Sequence, residues 1–129
     1  MLASILASLS IIILPVSGSI PTLGACNEWY SWGYNASTST VYVCYSANEK
    51  DVEFVKWHEI GHHYWFKFMT QSQRDEYIKL YNRDLKKWKF YREYGKTSAV
   101  ESFADDFAVI ITKTRHTNTR LTFIRKIIK

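Results

Sequence analysis

The chain has 129 residues, enough for one compact domain and little else. Apolar residues make up 47% and aromatics 16%, rich enough for a true core, yet a fold of this size hides a limited share of its surface. A metal, a disulfide or a partner would help hold it. The formal charge of +5 favours acidic partners or acidic membrane surfaces only weakly, because an ordinary solvated basic surface carries the same charge.

Residues 1–25 read as standing outside the domain, as a signal peptide or an N-terminal membrane anchor. Leu2 to Val16 is apolar or small throughout and is broken by Pro15, Gly18 and Pro21. That run has the length of a signal-peptide core and is short of the roughly 20 residues a membrane span needs. Ser17-Gly18-Ser19 offers a cleavage site, and Leu23-Gly24-Ala25-Cys26 a lipoprotein-like box. Each option implies export, to the outside of the cell or to a membrane anchor facing outward. Cys26 and Cys44 then form a candidate disulfide. It would close a loop of about 18 residues, worth roughly 3 kcal/mol in the chain-entropy picture. A lipidated Cys26 is the alternative, and it leaves Cys44 unpaired. Asn35-Ala36-Ser37 is a glycosylation sequon, a pattern common by chance.

Trp29 to Tyr34 and Val41 to Tyr45 are aromatic or β-branched runs around a polar stretch, Asn35 to Ser39, which predicts a hairpin. From Glu49 to Met69 the apolar positions Val52, Val55, Ile60, Tyr64 and Phe68 fall at helical spacing, with Asn48 and Asp51 as a weak cap. Thr70 with Gln73 is a better capping box and opens a helix to about Leu85. Lys79 to Lys96 is dense in Lys, Arg, Trp and Tyr and reads as surface. Such a run can also supply phosphate contacts and stacking, but an exported chain rarely meets nucleic acid, and no nucleic-acid partner is expected. Ser98 with Glu101 marks a further helix from Ala99 to Thr112. The basic segment 113–129 has Leu121, Ile124 and Ile128 on one face. Docking, membrane-surface and cleft-blocking roles are open to it beside plain packing on its own domain.

His58-Glu59-Ile60-Gly61-His62 lies inside the first of these helices. Positions i and i+4 differ by about 40° around the axis, so both imidazoles reach one point beside the helix. Glu59, turned by about 100°, can flank that point without ligating. Neutral imidazoles suit zinc, and two of them leave room for a third ligand and a water. No histidine follows at the metzincin spacing, where Trp65 already breaks the pattern. Glu101 and Asp105 instead share one face of the later helix. Glu101 completes a His₂Glu set, and Asp105 can accept a hydrogen bond from the non-ligating ring nitrogen of His58. Asp106 points elsewhere and reads as solvated. His63 swings off the metal face and reads as packing or surface.

H-E-x-x-H followed on a separate helix by E-x-x-x-D is the gluzincin pattern. Tyr94-Gly95 and Glu101-Ser102-Phe103-Ala104-Asp105-Asp106-Phe107 resemble the catalytic region of the anthrax lethal factor peptidases, with Ser102 where that pattern has an aromatic. Size, leader and motif order are similar to the minigluzincins, small zymogens of this class. The resemblance covers roughly Trp29 to Ile111. It implies a role for Tyr94, seven residues before Glu101, as donor to the oxyanion of the tetrahedral intermediate.

The expected fold is α+β: a small zincin-like domain over 26–112, with an N-terminal hairpin or short sheet followed by three to four helices. The expected function is a zinc endopeptidase with one Zn²⁺ per chain on His58, His62 and Glu101, and with Glu59 as general base toward a metal-activated water. A latent zymogen form belongs to that expectation. The partners are a peptide or protein substrate, a membrane through the N-terminal segment, and a second copy of the chain. The competing reading is an exported, zinc-stabilised binding module without catalysis. It would close the metal with a fourth protein ligand, for which His116 is the candidate.

Overall fold

A three-stranded sheet and five α-helices make up the described residues of the computed structural model, which are 2–15, 32–45, 52–87, 89–113 and 115–129. The class is α+β, as expected. The hairpin pairs β2 (Trp32–Asn35) antiparallel with β3 (Thr40–Tyr45), Asn35 opposite Thr40. Its turn is built on Asn35, whose side-chain oxygen accepts from the backbone N–H groups of Ser37 and Thr38, and it closes through Ser39 at a left-handed φ of 50°. Val41 and Val43 point from β3 into the core.

In the N-terminal segment α1 (Leu2–Ala7) leads into β1 (Ser10–Pro15), which pairs parallel with β3 from Ser10–Thr40 to Pro15–Tyr45. The sheet order is therefore β1-β3-β2. Ile5 is fully buried in the core, and Ser8 Oγ lies 2.8 Å from His63 Nε2. Apolar content in Leu2 to Val16 reads equally as leader or as core, since hydropathy does not say what a residue packs against. The suggested cleavage site at Ser17-Gly18-Ser19, the lipoprotein-like box at Cys26, the Cys26–Cys44 pairing and the Asn48–Asp51 cap lie outside the described residues. No helix among the described residues is long and apolar enough to cross a membrane.

Helix α2 (Val52–Lys67) carries the H-E-x-x-H sequence and lies between the sheet and α4 (Ala99–Thr112). It is buried nearly all round, so apolar periodicity is blurred and polar residues such as His63 go inside with partners. His63 Nδ1 is 2.7 Å from the Tyr34 hydroxyl, which ties α2 to β2. Between α2 and α4 the backbones come very close. A Cβ added at Gly61 would sit 3.0 Å from Ala104 Cα and 3.0 Å from Phe107 Cβ. Beside that crossing Tyr64 stacks on both Phe103 and Phe107.

Helix α3 (Gln71–Leu85) starts at Thr70 with the full capping box predicted, Thr70 and Gln73 each satisfying the other's backbone N–H. A short 3₁₀ turn, Glu93–Lys96, precedes α4. Helix α5 (Thr119–Ile127) packs on its own domain, burying Leu121 and Ile124. Its Arg120 is fully buried, bonding Asp84 of α3 and Asp106 of α4. Asp106, expected in solvent, is thus an interior residue, and Tyr77 donates a further hydrogen bond to it. Tyr77 also lies 2.6 Å from Ser102 Oγ, so a small polar residue at 102 fits this network where an aromatic would not.

If α1 belongs to the core, Ile5→Ala should cost about 2–5 kcal/mol, as burial of a large aliphatic side chain implies. Denaturant unfolding of the full chain would read it, and a removable leader would show no change.

Candidate metal centre

His58 and His62 stand one turn apart on α2, their rings 4.8 Å centre to centre and nearly perpendicular. Glu101 approaches from the first turn of α4, with Oε2 3.1 Å from His58 Nε2 and Oε1 3.0 Å from His62 Nε2. One ligand atom from each of the three residues falls in a group spanning no more than 4.8 Å, so together they could hold a metal ion. Two ring nitrogens and a carboxylate on two rigid helices fit a borderline divalent cation. All three expected ligands meet in space although 39 positions separate His62 from Glu101.

Ser98 caps α4 by accepting from the Glu101 N–H, but the box is not reciprocal. The Glu101 side chain turns instead to the two histidines.

Asp105, one turn further along α4, sits 2.7 Å from His58 Nδ1. A proton on Nδ1 shared with Asp105 leaves the Nε2 lone pair facing the donor group. Arg92 then grips Asp105 through Nε and Nη2, and its guanidinium lies over the rings of Phe54 and Tyr94 at 4.8 and 5.5 Å. Sequence reading missed Arg92, which it left in the basic surface run. The available signal was Asp105 itself, a carboxylate on a largely apolar helix that needs a cation.

Glu59 is buried, with Oε1 3.7 Å from His58 Nε2. It therefore flanks the donor group without joining it. Burial raises the Glu59 carboxyl above its ordinary value, with the charges of His62 and His58 pulling against that. Burial works to lower His58, yet hydrogen bonds to Asp105 and Glu101 and the charge of Glu59 outweigh it and carry it up to about 9. Burial would raise Glu101, but hydrogen bonds from His58 and His62 hold it well below the usual carboxylate range. A cation entering here displaces the proton on His58, so metal binding releases protons.

Tyr94 lies at the mouth, 45% exposed, its ring 5.8 Å from that of His58. Burial of its hydroxyl, then the charge of Glu101 and a hydrogen bond to it, push the phenol up to about 12. It is a donor, not a phenolate, at neutral pH. His116, the candidate fourth ligand, is exposed and packs edge-on against Tyr91, outside the donor group. His63 is committed to Ser8 and Tyr34.

Comparison with protein-family models, with curated proteins and with solved structures found no match. The function has to be argued from the site itself.

If Asp105 orients His58, Asp105→Asn should weaken zinc binding about 10–100-fold. Competition against a chromophoric chelator would measure it, and unchanged affinity would remove Asp105 from that role.

Proposed function

We propose that this chain is a zinc-dependent endopeptidase of the gluzincin type. One observation carries the reading: a His₂Glu donor group from two helices has a buried, non-ligating carboxylate, Glu59, at its side. A metal that only braces the fold has no use for that carboxylate, whereas hydrolysis needs a base there. The three-donor group also leaves a coordination position open, as catalytic zinc sites do.

Zinc on His58, His62 and Glu101 would polarise a substrate carbonyl and bring the pKa of a water toward about 7. The protein supplies the rest. Glu59, with a carboxyl raised by burial, accepts the proton of the attacking water and passes it to the departing amine. Tyr94 points its protonated hydroxyl into the mouth, where it can donate to the oxygen that gains charge in the transition state. Asp105 fixes the tautomer of His58, and Arg92 fixes Asp105 while its planar face supports the Tyr94 ring. The resemblance to lethal factor peptidases and minigluzincins implies the same roles for His58, Glu59, His62, Glu101 and Tyr94.

Zinc-loaded wild type and Glu59→Ala, assayed on an unstructured protein with zinc measured on the same samples, test the proposal. Zinc content should be equal and cleavage should fall about 10²–10⁴-fold in the variant, the usual worth of a positioned general base. Full activity in Glu59→Ala sinks the assignment of the base. Zinc in both with cleavage in neither favours the non-catalytic module. Tyr94→Phe should keep zinc and KM and lower kcat about 10²–10³-fold, the typical loss on removing one oxyanion donor. An unchanged kcat would take Tyr94 out of the chemistry.

A further inference from the structure

A recess of about 700 Å³ is bordered on α4 by Asp106 and Val109. Arg83, Lys87 and Lys89 line it from the end of α3 and the segment after it, and His116 lines it from the segment leading into α5. Phe90 and Tyr91 supply its aromatic surface. Two carboxylates also border it, Asp84 and Asp106, but both are held by the buried Arg120. Arg83 shares Asp84 as well. Lys87 and Lys89 are exposed, and among the described residues no carboxylate lies within ion-pair distance of either. The recess therefore has a positive rim with no negative complement of its own.

We infer that this recess receives an acidic stretch of the polypeptide that is cut at the metal centre, an inference that rests on the peptidase reading. Two features tie the recess to the centre. Asp105 and Asp106 are consecutive on α4 and so diverge by about 100°, the first facing His58 and the second facing the recess. Tyr91 and Tyr94, both more than two-fifths exposed, then bridge the gap along the chain. Tyr91 packs against His116 at the recess and against Phe54 of α2, while Tyr94 packs against His58. Carboxylates on the side of the scissile bond that runs past Tyr94 and Tyr91 are the ones that would meet Lys87 and Lys89. Several carboxylates suit the recess better than one compact oxyanion, because Arg83, Lys87 and Lys89 are spaced along the chain rather than adjacent.

Two fluorescent peptides of equal length test this, one with an Asp/Glu block and one with the matching Asn/Gln block. Binding is read by anisotropy on the zinc-loaded, full-length Glu59→Ala chain, with and without K87E/K89E, and cleavage is read on the otherwise wild-type chain. The acidic peptide should bind about ten-fold tighter than its amide twin, and rising salt should shrink that gap. In K87E/K89E the gap should vanish, while kcat/KM for the amide peptide stays as in wild type. Equal binding of the two peptides, or an unchanged gap in K87E/K89E, overturns the recess. Cleavage without a binding gap overturns the recess alone. A binding gap without cleavage by wild type overturns the peptidase reading and leaves the recess as an acidic-peptide site.

Discussion

The centre depends on how closely two helices can cross. Gly61 faces Ala104, and an added Cβ would sit 3.0 Å from Ala104 Cα and Phe107 Cβ, close enough that the neighbouring helix would have to give by a few tenths of an ångström. At that separation a glutamate in the first turn of α4 can reach two imidazoles on α2. The aromatic stack of Tyr64 on Phe103 and Phe107 holds the crossing from one side, and Trp65 against Phe103 extends it. Glycine between the two ligand histidines is thus a packing requirement of the site, although it touches no ligand atom.

Much of this was legible in the residues. The hairpin, the capping box at Thr70, the start of α4 at Ser98 and the shared faces of His58 with His62 and of Glu101 with Asp105 follow from local chemistry, while the meeting of the two pairs was suggested only by the resemblance. Spacing on a helix fixes direction, and caps fix where a helix begins. What escaped was long-range and polar. Arg92 and Arg120 sit in basic stretches that look like surface, and Asp106 looks solvated beside Asp105. Their burial depends on which charge meets them from a distant part of the chain, and periodicity carries no such information. The burial of Ile5 was hidden for the opposite reason: an apolar run has too many possible hosts.

The two neighbouring aspartates of α4 divide the electrostatics of the domain. Asp105 with Arg92 serves the donor group, and Asp106 with Arg120 serves the packing of three helices. Buried ion pairs contribute little net stability, since desolvation consumes most of the attraction. Their value here is directional. Each fork of guanidinium nitrogens fixes one aspartate, and two fixed aspartates about 100° apart set the rotation of α4 about its own axis.

Arg120 has a further consequence for how the chain comes to be folded. Asp84 and Asp106 both emerge from the ribosome before their shared cation does. Without Arg120, closing α3 onto α4 would bury Asp106 with no cation beside it and leave Asp84 only its neighbour Arg83, a state costing several kcal/mol. Docking of α3 on α4 is therefore tied to the basic segment that carries Arg120.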